Sequence, residues 1–151
     1  MEKSKEIIEV LNDLIQINND RIQGYEKAVK ELKNEDADLK SLFDTMIVES
    51  QQIKSDLIHE VQVLRGDVEN DTTEMGKIYR AWTSVKAVFT GNDRHSILSN
   101  CEHGEDAAQK SYQKALETDK LPGFLKTMLI KQQEILKTSH DEIRELRDEY
   151  A

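Results

Sequence analysis

Apolar side chains recur at helical spacing in four long stretches of the chain, which short polar segments separate. In the first stretch these positions include Ile7, Leu11, Leu14 and Tyr25. The four stretches cover residues 4–33, residues 37–66, the segment from Asn92 or Asp93 to Leu116, and the segment from Pro122 onward. No stretch alternates apolar and polar residues as a half-buried strand does. The pattern therefore predicts four long helices.

The connection between the second and third helices is much longer than the other two. It contains the polar segment RGDVENDTTEMG and then KIYRAWTSVKAVF, which predicts a shorter helix carrying Trp82 and Phe89. Each long helix spans roughly 40 Å at 1.5 Å per residue, so a bundle is the natural way to bury four apolar stripes. A long crossover allows the second and third helices to run parallel. The predicted fold is all-α, a ferritin-like four-helix bundle with a long crossover containing a short helix, and residues 1–151 form one domain.

Charge and cysteine content narrow the function classes. The net charge of −9, with no basic patch, argues against nucleic acid and against anionic membrane surfaces as partners. Cys101 is the single cysteine, so no internal disulfide framework exists. The amino terminus starts with charged residues and lacks the apolar core of a signal peptide, and no apolar run approaches the length of a membrane span. We therefore expect a cytoplasmic protein without a nucleic-acid or membrane partner.

Polar side chains interrupt the apolar stripes at similar depths in the four helices. Those that carry a carboxylate or imidazole are Glu26, Glu49, Glu102, Glu105 and His140. Counted from one end of the bundle, they lie within roughly 12 Å of one another along its axis. An isolated buried charge is costly, so these residues need partners. We expect them to converge in one polar layer in which Glu102 lies near His140.

A metal ion is one candidate partner for this layer. Ferritin-like di-metal sites use a Glu from each of two helices and a Glu-x-x-His pair from each of the other two. This chain departs from the pattern, because Gln52 stands where a histidine should follow Glu49 and Lys137 stands where a glutamate should precede His140. If a metal binds, these five residues are its expected ligands, and iron or another divalent ion is the expected cofactor. We find no catalytic motif and no organic-cofactor motif.

The alternative partner is a set of basic side chains. In this interpretation, which the incomplete ligand pattern favours, Glu102 and Glu105 meet His140, Lys137 or Arg144 from the fourth helix. Replacing Glu105 with Gln would then be mild or stabilising, because the change removes repulsion between acids and keeps the volume. If a metal is bound, the same change removes a ligand and lowers metal-dependent stability.

Four segments of the chain resemble a bacterial family of ferritin-like four-helix-bundle proteins of unknown function. They are LNDLIQINNDRIQGYEKA, KIYRAWTSVKAVFTGND, CEHGEDAAQKSYQKAL and KQQEILKTSHDEIRELRD, in that order. The resemblance covers nearly the whole chain. It rests on the glycine-tyrosine pair of the first helix, Trp82, the Glu-x-Gly-Glu-Asp segment and the terminal His-Asp segment. It implies a ferritin-like bundle from a bacterium and supplies no activity, because the family is labelled by its fold.

Two functions follow as hypotheses, and the sequence does not decide whether the protein is an enzyme. The first, which we favour, is a non-catalytic stress-associated, binding or structural protein. The second is a metal-binding, di-iron-like protein with oxidase or iron-handling activity. We also expect a homodimer or small homo-oligomer. Its interface would use a second apolar surface beside the main stripes, formed by Ile8, Ile15, Ile47 and Ile58.

Overall fold

The computed structural model describes residues 2–68, 94–119 and 121–149. Four long helices account for most of these residues: α1 (Glu2–Glu31), α2 (Ala37–Val63), α3 (Arg94–Leu116) and α4 (Gly123–Glu149). A short 3-10 turn (Asn34–Asp36) joins α1 to α2. The described residues contain no strand. The all-α prediction is confirmed, while the predicted crossover helix and the Asn92 and Asp93 caps lie outside the described residues.

The helices α1 and α2 pack antiparallel along much of their length. Asn18 on α1 meets Ser50 on α2, and Asn12 nearer the start of α1 meets the backbone of Asp67 just after α2. Helix α2 ends in two backbone hydrogen bonds, in which the amides of Arg65 and Gly66 donate to the carbonyls of Gln62 and Val61. This paired arrangement places the residue after the C-cap in the left-handed region, and that residue is Arg65, with φ of 60°.

Helix α3 also runs antiparallel to α1. Arg21 contacts Glu105, and Asn18, one turn earlier on α1, contacts Tyr112, two turns later on α3. Since α2 and α3 are both antiparallel to α1, they are parallel to each other. The connection between them joins opposite ends of the bundle, because Gly66 lies against Ile8 near the start of α1.

At the other end of the bundle, Arg94 holds the start of α3 against the start of α2. Its guanidinium donates to Asp36 at 3.1 Å and to Asp38 at 2.5 Å. Asp36 and Asp38 lie at the start of α2. Asp36 occupies the N-cap position, but its side chain makes no capping hydrogen bond. Both carboxylates bind Arg94 instead, and these contacts hold the start of α3 level with the start of α2.

The core runs the length of the bundle between the four apolar stripes. Cys101, Tyr25 and Tyr112 are fully buried, as expected for residues on the stripes. Of the four isoleucines expected to form a second apolar surface, Ile15 is fully buried and is not available for it. Ile8, Ile47 and Ile58 pack partly against the core and leave part of their side chains exposed. No helix in the described part of the chain is both long and apolar enough to span a membrane.

Candidate functional site: the buried polar centre and the α3–α4 cluster

Arg21 occupies the middle of the bundle, with its side chain fully buried. Its Nε and one terminal nitrogen donate to the two carboxylate oxygens of Glu105, at 2.7 and 3.0 Å. The other terminal nitrogen donates to the Met46 carbonyl at 3.1 Å and to Ser50 Oγ at 2.7 Å. A buried arginine and a buried glutamate are tolerated in a protein core when they pair in this way.

The polar centre continues from Arg21 along a chain of neutral side chains. Ser50 donates to Asn18 Oδ1 at 2.9 Å, and Asn18 Nδ2 donates to the Tyr112 hydroxyl at 3.1 Å. Tyr112 in turn donates to Gln132 Oε1 at 2.9 Å. The chain of hydrogen bonds therefore links all four helices across the core.

Burial and charge together set the protonation of this centre. Burial by itself lowers the pKa of Arg21, but the charges of Glu105, Tyr25 and Glu49 outweigh it and hold the pKa above its usual range. Burial raises the pKa of Tyr25 well above its usual range, and the nearby Glu105 carboxylate raises it further. Burial likewise raises the pKa of Tyr112. Arg21 is thus always charged, and both phenols stay neutral.

Glu49 lies at the edge of the polar centre. One of its oxygens is 3.6 Å from the Arg21 guanidinium and accepts a hydrogen bond from Ser139 on α4 at 3.1 Å. About a third of its side chain is exposed, in contrast to Glu105. Its carboxylate is therefore a second negative group near Arg21, and it interacts with the guanidinium more weakly than Glu105 does.

A separate cluster lies between α3 and α4, where Glu102, Asp106 and His140 come together. His140 Nε2 is 2.6 Å from Asp106 and 3.7 Å from Glu102, and one ligand atom of each residue lies within 4.8 Å of the others. His140 Nδ1 is 3.1 Å from the Asp141 carboxylate. Glu102 also forms an ion pair with Arg147.

The structure places the five residues that were predicted for one polar layer in three separate locations. Glu105 and Glu49 surround Arg21, and Glu102 and His140 belong to the α3–α4 cluster. Glu26 joins neither group, because its side chain is exposed on the outer side of α1. Glu105 meets a base from the first helix, whereas the sequence had predicted a base from the fourth helix.

Arg21 and Asp106 are among the participants that the sequence analysis does not predict. Arg21 lies at helical spacing from Leu14 and Tyr25 on the apolar stripe of α1, and this spacing is a signal that it is buried. Asp106 lies one turn after Glu102 on α3, and both side chains face His140 on α4.

The polar centre around Arg21 and the α3–α4 cluster differ in how well their side chains fit a metal ion. In the described part of the chain, the bundle centre does not fit a pair of metal ions, because the side chains that contact Arg21 include one fully buried carboxylate, already bound at both oxygens by Arg21, and no imidazole. A guanidinium at this position would also repel a dication. The α3–α4 cluster fits a single divalent ion better, since two carboxylates and one imidazole are a common donor set and Asp141 orients the imidazole.

The comparisons with known proteins agree with this fold. The chain matches, with 19% sequence identity and a TM-score of 0.68, a solved structure described as a ferritin-like, diiron-carboxylate protein from Bacillus anthracis strain Ames. The match covers 97% of this chain and 96% of that one, and at this identity it shows the fold alone. No curated protein matches the chain. A family model described as "Domain of unknown function (DUF2383)" matches residues 6–118, and the chain therefore belongs to that family of unknown function.

Proposed function

We propose that this protein is a non-catalytic bundle with a binding or structural role, and that its centre does not support di-iron chemistry. One observation carries the proposal: the Arg21 guanidinium lies in the bundle core between the inward faces of the helices, and ferritin-like proteins build their metal sites from side chains in the bundle core. The partners of Arg21 on α2 and α3 are Met46, Ser50 and Glu105.

The composition of the polar centre supports a structural role. Among its described members, Arg21 is always charged, Glu105 is bound at both oxygens, and Ser50, Asn18 and Tyr112 each have hydrogen-bond partners. Polar contacts that are satisfied in this way fix the register of the helices, and they leave no oxygen of Glu105 free to bind a metal ion. The similar solved structure is described as a diiron-carboxylate protein. In this chain the positive charge beside the buried Glu105 carboxylate comes from Arg21.

Ferrous-iron oxidation tests this proposal directly. The protein is incubated with ferrous iron under air, and the rate of ferric-ion formation is compared with that of a protein-free blank. We expect no acceleration above the blank and no binding of two iron ions per chain. Accelerated oxidation that disappears in Glu105→Gln and persists in Glu26→Gln would contradict the proposal, because Glu26 lies outside the polar centre.

A second candidate function is binding of one divalent ion by Glu102, Asp106 and His140. Its support is the convergence of three donor atoms within 4.8 Å, together with the Asp141 carboxylate behind the imidazole. A carboxylate behind a ligating histidine is a common feature of metal sites. Arg147 competes for Glu102 in the metal-free protein, so metal binding has to release this ion pair.

Thermal unfolding with zinc, ferrous iron or a chelator tests the second candidate. An ion present at a hundredfold excess over its Kd stabilises the folded state by about 2.7 kcal/mol, equivalent to a shift of roughly 5–11 °C at this size. We expect the shift in wild type and in His103→Gln, whose histidine is exposed on α3. We expect it to be lost in His140→Gln. An equal shift in both variants, or no shift in wild type, would rule out this site.

A further inference from the structure

The neighbouring helices α2 and α4 leave a groove between them. Helix α2 packs closely on α1, and α4 packs closely on α3, whereas α2 and α4 make few contacts with each other. The groove has a volume of about 560 Å³ and a largely apolar lining that includes Val48, Ile53, Met128 and Ile135. Val48 and Ile135 are 61% and 41% exposed, so part of this apolar lining faces solvent. Its size is typical of pockets that hold small organic molecules.

The lining of the groove includes a buried amide group without a partner. Gln132 is only 4% exposed, and its Nε2 has no hydrogen-bond partner among the described residues. A buried donor that has no acceptor destabilises the folded state. Glu49, also part of the lining, brings a carboxylate to the same groove.

The buried hydrogen-bond chain determines which atom of Gln132 is left without a partner. Arg21 can only donate, so Ser50 accepts from it and donates to Asn18. Asn18 donates through its amide nitrogen to Tyr112, which therefore donates its own hydrogen to Gln132. Gln132 Oε1 therefore accepts the hydrogen bond from Tyr112, and the NH₂ group has no acceptor among the described residues. A chain oriented by a cation also polarises its members, which makes the last group a stronger donor.

We propose that the α2–α4 groove binds a small, uncharged, largely apolar molecule through one hydrogen-bond acceptor, such as a carbonyl oxygen, that receives a hydrogen bond from Gln132 Nε2. Binding in this groove does not depend on whether the polar centre or the α3–α4 cluster holds a metal ion, and it goes beyond the proposed function. The acceptor follows from the NH₂ group, and the apolar body follows from the lining. The Glu49 carboxylate in the same groove disfavours anionic ligands such as fatty acids.

The experiment uses 6-propionyl-2-dimethylaminonaphthalene, an uncharged fluorescent probe with an apolar ring system and one carbonyl. We expect saturable binding to the wild-type protein, with emission that reports a hydrogen-bonded carbonyl. Val48→Glu should weaken binding at least tenfold, because it places a charge in the apolar lining without disturbing the core. Phe124→Glu is the matched control, since Phe124 is 64% exposed and lies outside the groove. It should leave binding unchanged.

Gln132→Leu tests the donor itself. It should weaken binding of the probe about tenfold and remove the hydrogen-bond signature from its emission. It should not weaken binding of the same naphthylamine without the propionyl group. Gln133→Leu is the control, because Gln133 does not line the groove. Circular dichroism confirms folding of each variant, and Val48→Glu still tests the site if Gln132→Leu unfolds.

Three results would overturn the proposal. The first is an absence of saturable probe binding to wild type. The second is equal weakening by Val48→Glu and Phe124→Glu, which would indicate non-specific adsorption. The third is a concentration-dependent dimer that binds no probe and that Val48→Glu dissociates, because a second copy of the chain would then cover the groove.

Discussion

The pairing of Arg21 with Glu105 makes a strong prediction for Glu105→Gln. Both side chains are fully buried, and two hydrogen bonds of 2.7 and 3.0 Å join them. The substitution keeps the volume but removes the negative charge. Because Arg21 cannot release its proton, its charge stays buried with only Glu49 nearby, at 3.6 Å. The expectation from sequence alone was a mild or stabilising effect, and the pairing with Arg21 reverses its sign.

The magnitude follows from what remains after the substitution. Removing one partner of a buried ion pair costs about 3–5 kcal/mol. We expect about 3 kcal/mol, at the lower end, because the Gln oxygen still accepts one hydrogen bond and Glu49 still offsets part of the charge. For a chain of this size, that loss lowers the melting temperature by roughly 6–12 °C.

Equilibrium unfolding in guanidinium chloride, followed by circular dichroism, measures this loss. Asp44→Asn is the control, because the Lys40–Asp44 pair is at least half exposed on both sides and contributes under about 0.5 kcal/mol. The double variant Arg21→Met, Glu105→Leu should be more stable than either single variant, since no buried charge is left unpaired. A loss below about 1 kcal/mol for Glu105→Gln would refute the view that this pair determines the energetics of the centre.

Three further predictions concern the ends of the bundle and its assembly. Arg65→Gly should stabilise the protein by about 0.5–1 kcal/mol in the same unfolding assay, because φ at this position is 60° and glycine adopts it without strain. The hydrogen bonds from Arg94 lower the pKa of Asp38 from its usual 3.8 to about 2. The stability that this contact contributes is therefore present above pH 4 and is lost as the pH falls towards 2. Asp38→Asn should flatten that part of the curve of unfolding free energy against pH. Light scattering should show a dimer at high concentration, and a monomer at all concentrations would refute the expected self-association.

The helix pattern predicts most of the fold because it depends on local spacing. The apolar stripes place the core residues, and the long middle connection implies that α2 and α3 are parallel. Both features are independent of which polar side chains meet in the core. Helix ends were less accurate, since α2 ends at Val63, three residues before the predicted end at residue 66. A non-glycine residue in the left-handed position gives no signal of that end in the sequence.

The spacing of three and four residues along each helix predicts most members of the buried polar centre. Steps of three and four residues through α1 run from Leu14 to Asn18, Arg21 and Tyr25, all of which are buried. The same steps through the other helices lead to the buried polar residues Ser50, Glu105, Gln132 and Ser139. Glu26, Glu49, Glu102 and His140 lie one residue to the side of these stripes. Carboxylates and imidazoles suggest metal chemistry, but the position of a polar side chain on the stripe determines whether it is buried in the centre.

The sequence could not establish what compensates Glu105, because a metal ion and a guanidinium satisfy the same electrostatic demand. A buried carboxylate in a bundle needs positive charge, and both candidates supply it from the centre. They differ in where the charge comes from: a metal requires several more ligands, whereas an arginine needs one position on a facing stripe. Arg21 is that position, and the ligand pattern is incomplete elsewhere, with Gln52 and Lys137 in place of two ligands. In the described structure the positive charge beside Glu105 comes from Arg21, and this contact needs none of the ligands that the sequence lacks.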